Sequence, residues 1–279
     1  MLLDLTPRRA GLIAGVAIAL VGLPALAQSL DTRATPAALA PAVAAAPKCV
    51  VSPELARFQM PLSRVALRLS GGLPLKIVAI GSSSTFGAGA SSPANSYPSR
   101  LEVELGRHFA GHALTVINRG VNGEEAGEML ARFQSGVIAE NPHLVIWQVG
   151  TNALLRDRPI DPRAAALREG IARLKAIRTD VVLMDPQYAP KVIAKPDRDA
   201  VVDQIAMIAK KEKVDLLRRY AIMRSWHDAG GLSFDSFVTA DGLHMNDWGY
   251  GCLAKSLGVA IAEAATRPTE TAQAPHHRP

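Results

Sequence analysis

Leu75-Lys76-Ile77-Val78-Ala79-Ile80, followed at once by Gly81-Ser82-Ser83-Ser84-Thr85-Phe86-Gly87, is the stretch that decides the fold. The apolar run is continuous after Lys76 rather than alternating, which is how a strand covered on both faces is written. Comparable runs recur at Leu114 to Asn118, Leu144 to Val149, Asp180 to Met184 and Val214 to Leu217, and each reads as a buried strand. Between them lie segments with helical spacing: Pro98 to Phe109, with Leu101, Leu105 and Phe109 in one stripe, then Ala126 to Ala139, Pro162 to Ile177, Asp197 to Lys211 and Asp247 to Ala265. Strands alternating with helices predict an α/β fold. We expect a three-layer α/β/α sandwich around a five-stranded parallel sheet in flavodoxin-like order. Chemistry in such sheets collects beyond the carboxyl ends of the strands, which singles out the loops Gly81 to Gly89, Arg119 to Gly127 and Gly150 to Arg156.

Outward from this core the chain changes character. Residues 1–27 carry Arg8 and Arg9, an apolar stretch from Ala10 to Val21, and Leu23-Pro24-Ala25-Leu26-Ala27. A basic start, a short apolar segment and small residues before a cut describe a secretory signal peptide, with an uncleaved anchor as the alternative. Residues 28–48 form an Ala/Pro-rich linker and residues 267–279 a polar tail, both expected to be disordered for want of apolar periodicity. The catalytic domain is expected over residues 49–266, in the periplasm or secreted, with no stable membrane span in the mature protein. Two cysteines occur, Cys49 and Cys252. In an oxidising compartment they can pin the N-terminal segment to the last helix as a disulfide, or they are two separate buried thiols.

The formal charge of +6 falls to +5 when residues 1–27 are removed with Arg8, Arg9 and Asp4. Basic residues such as Arg163, Arg168, Arg173, Lys175 and Arg178 scatter along polar faces, and only 5% of residues are aromatic, which argues against a nucleic-acid surface. His108 and His112 have the spacing of two metal ligands on a helix, but no Glu follows His108 and Gly111 marks a helix end. Neither a metal nor a cofactor is expected. The oligomeric state stays open.

Chemistry is carried by two distant segments. The turn Gly81-Ser82-Ser83-Ser84-Thr85 is rich in hydroxyls where a nucleophile would sit, although Ser and Gly also build ordinary turns. It lacks the Lys of a phosphate-binding loop. Downstream, Thr239-Ala240-Asp241-Gly242-Leu243-His244 puts a carboxylate and an imidazole three residues apart before the last helix. A serine hydroxyl needs a base to take its proton, and a carboxylate next to that base fixes its tautomer. No Gly-x-Ser-x-Gly elbow is present, which disfavours the α/β-hydrolase alternative.

These segments resemble the ordered blocks of the SGNH (GDSL-like) hydrolase family, in its exported subset with a Gly-Ser-Ser-Ser-Thr first block. Gly81-Ser82-Ser83 resembles the first block and implies Ser83 as nucleophile. Asn118-Arg119-Gly120-Val121-Asn122-Gly123-Glu124 resembles the second, and Gly150-Thr151-Asn152-Ala153 the third. The resemblance implies an oxyanion hole from the Ser83 and Gly123 backbone N–H groups and the Asn152 amide. Asp241-Gly242-Leu243-His244 resembles the last block and supplies the other two members of a Ser-His-Asp set. Ser82 and Ala153 stand where the family usually has Asp, departures that bear on substrate class more than on the hydrolytic machinery. Trp147 and Tyr188, near the ends of the third and fourth strands, are candidates to line a substrate pocket.

What the resemblance implies is a serine esterase acting on a small-molecule or carbohydrate ester, O-acetyl carbohydrate included. Two alternatives stay open. One is an O-acyltransferase acting on envelope glycans, and the other a catalytically silent glycan-binding module.

Overall fold

The computed structural model describes residues 47–267. The expected signal peptide at 1–27, the linker up to residue 46 and the tail from residue 268 lie outside the described residues. Strands β1 (Leu75–Gly81), β2 (Leu114–Gly120), β3 (Leu144–Gln148), β4 (Asp180–Met184) and β5 (Asp215–Leu217) pair in parallel in the order β2-β1-β3-β4-β5. This is the flavodoxin-like order expected from the alternation of strands and helices.

Register explains why β1 is so apolar. Ile77 lies between Val116 and Leu144, and Ala79 between Asn118 and Ile146, so β1 has neighbours on both edges. Its pleat sends Ile77 and Ala79 into one core and Val78 and Ile80 into the other, all four fully buried. The first core is closed by helices Ser63–Ser70, Tyr97–His108, Arg219–Asp228 and Asp247–Thr266. The second is closed by Ala126–Ala131, Ile160–Ala176 and Arg198–Lys211. Among the described residues no helix is long and apolar enough to cross a membrane.

Three expectations need correction. Leu114 to Asn118 reads as a buried strand, yet β2 is an edge strand in which Val116 alone is buried, because among the described residues no strand pairs with its outer edge. The single helix expected from Ala126 to Ala139 breaks at Arg132 into Ala126–Ala131, Phe133–Gly136 and a 3-10 turn Ile138–Glu140. At the break Arg132 turns its guanidinium onto Glu124 and the Arg119 carbonyl, while Phe133 packs edge-on against Trp147 at 4.8 Å between centroids. Helices Ser63–Ser70 and Arg219–Asp228 were not read from the sequence, being short and interrupted by charges.

Cys49 and Cys252 are joined, with Cα atoms 5.4 Å apart and 203 positions between them in sequence. The bond ties the start of the domain to its last helix, and Trp248 Nε1 donates to the Pro47 carbonyl beside it. Closing so long a loop restricts the unfolded chain and contributes about 2–5 kcal/mol. Replacing both cysteines by Ala is expected to lower the thermal midpoint by roughly 5–15 °C. A calorimetric midpoint equal to wild type would mean that the bond adds nothing to stability.

Candidate active site

The nucleophile turn is built by close approach. β1 ends at Gly81, and the chain enters a four-residue helix, Ser83–Phe86, closed by Gly87 at φ +106°. A Cβ on Gly81 would sit 2.2 Å from Thr85 Oγ1, and one on Gly120 would sit 2.0 Å from the Phe86 nitrogen, so neither position admits a side chain. Gln148, at the end of β3, accepts hydrogen bonds at its Oε1 from Ser82 N (2.8 Å), Ser82 Oγ (3.0 Å) and Thr85 Oγ1 (3.3 Å). From the other side Asn118 Nδ2 donates to the Thr85 carbonyl at 2.8 Å. The turn is held by the strands that flank it.

The histidine loop is equally constrained. An antiparallel bridge between Val238 and Met245 closes it, with Thr239 N donating to the His244 carbonyl at 2.8 Å and Gly242 at φ +67°. Asp241 Oδ1 accepts from Leu243 N (2.8 Å), His244 N (2.9 Å) and Thr239 Oγ1 (2.7 Å). Its Oδ2 lies 2.5 Å from His244 Nδ1, and His244 Nε2 lies 2.8 Å from Ser83 Oγ. Partial burial pushes the Asp241 carboxyl up, but the His244 ring and backbone, the Thr239 hydroxyl and the Leu243 N–H outweigh it and hold the pKa well below the usual carboxylate range. An ionised Asp241 keeps the proton on Nδ1 and leaves Nε2 as the acceptor facing Ser83. Asn246 caps the next helix by accepting from Gly249 N at 3.0 Å, and Trp248 packs on Trp226.

Gly123 adopts φ +80°, and Asn152 is the second residue of the helix Thr151–Leu155. One N–H of the Asn152 amide donates to the Glu124 carbonyl at 2.8 Å, tying the two loops together. Val121 N donates to the Gly81 carbonyl at 3.0 Å, which fastens the Gly123 loop to the end of β1. Ser83 opens its helix, so its backbone N–H lies outside the intrahelical ladder. The Glu124 carboxylate is gripped by Arg132, which braces the Gly123 loop from outside.

Trp147 does not line the cleft. It is fully buried in the second core, donating to Met129 Sδ at 3.2 Å, since its place in β3 points it away from the strand end. Tyr188 is half-buried in an aromatic cluster with Tyr220, His227 and Phe234, its ring 5.2 Å from Tyr220 and 5.7 Å from Phe234. The helix Tyr97–His108 ends before His112, whose Nε2 lies 3.0 Å from the Leu69 carbonyl. Ser82 and Ala153, the two departures from the usual blocks, are both buried. Gln148 and Gln187, which follow the apolar runs of the third and fourth strands, are structural members of the site, and Arg219 is one that sequence reasoning missed.

The sandwich brings Ser83, His244 and Asp241 from distant parts of the chain into one hydrogen-bonded series. The chain belongs to the Non-GDSL lipase-like family, whose sequence model matches residues 48–267. An arylesterase of Vibrio mimicus is 30% identical over 122 residues, covering 44% of this chain and 60% of that protein's length. A two-domain esterase described as active on acetylated mannans superposes with a TM-score of 0.67 at 19% identity, over 82% of this chain and 61% of that one. An acetylxylan esterase from Geobacillus stearothermophilus gives 0.57 at 21% identity, over 67% and 94% respectively. At these identities the structural likeness establishes the fold.

Two outcomes check the site's construction. Gly120→Ala drives a methyl group into the nucleophile helix and is expected to lower the thermal midpoint, whereas Gly127→Ala, with nothing within 4 Å, leaves it unchanged or raises stability by about 0.5–1 kcal/mol. For Asp241 the folded pKa lies below the unfolded one, so its contribution to stability is present above about pH 4 and is lost as pH falls. Wild type should therefore melt above Asp241→Asn at neutral pH, and the gap should close in acid. A gap that widens in acid would reverse the sign of the assignment.

Proposed function

We propose that the chain is an exported serine esterase that hydrolyses carboxylic esters through an acyl-enzyme on Ser83, with acetyl groups on carbohydrate as the substrate class. The observation that carries this reading is the 2.8 Å contact between Ser83 Oγ and His244 Nε2, with Asp241 on the other ring nitrogen. In the first half-reaction Ser83 Oγ attacks the ester carbonyl while His244 takes its proton. His244 then protonates the leaving alcohol, and the carbonyl bond reforms as a Ser83 ester. Water attacks that ester with His244 again as base, releasing the carboxylic acid and free Ser83.

The Ser83 and Gly123 backbone N–H groups and the Asn152 amide are the donors we assign to the developing oxyanion. A well-aimed donor of this kind contributes about 2.7–4 kcal/mol to the transition state. The carbohydrate part rests on the structural neighbours, one an esterase active on acetylated mannans and another an acetyl-xylooligosaccharide esterase. Export rests on the signal-like residues 1–27 and on the disulfide, which persists in oxidising compartments.

Purified protein is expected to hydrolyse an aryl acetate with a chelator present and to release acetate from an acetylated mannan or xylan. Ser83→Ala should lower kcat by a factor of at least about 10⁴ while keeping the wild-type circular dichroism. Wild-type turnover in that variant would remove Ser83 as nucleophile. Glycan binding without turnover or fluorophosphonate labelling would point to a silent binding module.

A further inference from the structure

Arg219 is fully buried, and among the described residues its guanidinium hydrogen-bonds to no carboxylate. Its Nε donates to the Asp185 carbonyl (2.9 Å), its Nη1 to Ser84 Oγ (2.8 Å) and its Nη2 to Gln187 Oε1 (2.9 Å). Asp185 is the carboxyl that favours the charged guanidinium, and its own Oδ1 accepts from Tyr220 N at 2.9 Å. Burial pushes the Asp185 carboxyl up to about 7 and draws Arg219 down to about 10, because water does not reach either group. A buried cation costs several kcal/mol to desolvate, and a hydrophobe of similar volume commonly fills such a place with equal or greater stability. Stability alone therefore gives no reason for a guanidinium here.

Its partners give the reason. Ser84 adjoins Ser83. Gln187 Oε1 also accepts from Thr151 Oγ1 at 2.9 Å, and Thr151 adjoins Asn152. Gln187 Nε2 donates to the Leu243 carbonyl at 3.3 Å, and Leu243 adjoins His244. We propose that Arg219 is the positioning residue of the site, a rigid fork that fixes the nucleophile turn, the Asn152 helix and the histidine loop relative to one another. The planar guanidinium suits the task because its donors leave in fixed directions, whereas a lysine ammonium makes a point contact on a flexible stem. The three loops come from distant parts of the chain: Arg219 meets the first directly at Ser84 and the other two through Gln187.

The proposal rests on the esterase reading, and the experiment separates the two. Wild type, Ser84→Ala, Arg219→Lys and Arg219→Met are compared for kcat and KM on an aryl acetate, for the rate of fluorophosphonate labelling at Ser83, and for thermal midpoint. Assays run well below the midpoint of each variant. Small displacements of catalytic groups can cost on the order of a hundredfold, so kcat and labelling rate are expected to fall about ten- to hundredfold in the Arg219 variants, with KM within about twofold. Arg219→Lys should fail to restore the rate despite keeping the charge. Ser84→Ala removes a single link and should lose less, with a near wild-type midpoint. Lowered midpoints with wild-type kcat in both Arg219→Lys and Ser84→Ala would overturn the proposal and leave Arg219 a packing residue. If the Arg219 variants do not fold, an unchanged kcat in Ser84→Ala overturns it alone. A wild type that neither turns over nor labels overturns the esterase reading and this one with it.

Discussion

A strand covered on both faces must deliver its last polar groups to partners inside the protein, because water does not reach them. β1 ends under this constraint. The Ser82 N–H finds Gln148 Oε1, the same oxygen takes the hydroxyls of Ser82 and Thr85, and the carbonyls of Thr85 and Phe86 are met by Asn118. The Ser83 turn is thus clamped between β2 and β3 by hydrogen bonds that burial requires whatever the site does. Gly81 and Gly120 complete the clamp by letting backbone approach where a Cβ would collide. Once the turn is fixed, Ser83 has one direction available, and the rest of the site is arranged around it.

The histidine loop meets that direction by a local device. Asp241 spends one oxygen on the backbone N–H groups of Leu243 and His244 and the Thr239 hydroxyl, and the other on the imidazole. The same carboxylate shapes the turn and orients the base. This is why three residues of separation suffice: the ring it orients belongs to the loop it folds. The Asp241 side chain stays 43% exposed and that of His244 18%, so the imidazole is screened while the carboxylate still opens to solvent.

Sequence revealed what is periodic or local and hid what is long-range. The apolar run at Leu75 to Ile80 shows its own burial, and Asp241 to His244 shows its own turn, because each depends on residues within a few positions. The edge position of β2 did not show, since exposure of Leu114 and Thr115 is decided by which strand fails to pair with them. The break at Arg132 did not show either, because its cause is the carbonyl of Arg119 and the carboxylate of Glu124. Trp147 read as a pocket candidate from its place near a strand end, but pleat parity sends it into the second core and gives the site to Gln148. Gln187 and Arg219 carry no local signal at all. Their partners lie between 32 and 135 positions away in sequence.

The two departures from the usual blocks can be placed in the same physical terms. An Asp beside the nucleophile would bring a carboxylate to the buried place where Ser82 lies 2.8–3.0 Å from the Gln148 carbonyl oxygen. Acceptor would then face acceptor, and the charge would lack a donor unless its partner changed as well. Serine supplies the donor that Gln148 requires, so the residue at 82 and the residue closing β3 form a matched pair. Ala153, buried within the helix Thr151–Leu155, likewise leaves no carboxylate to be satisfied there. The residue at 82 therefore alters how the Ser83 turn is anchored.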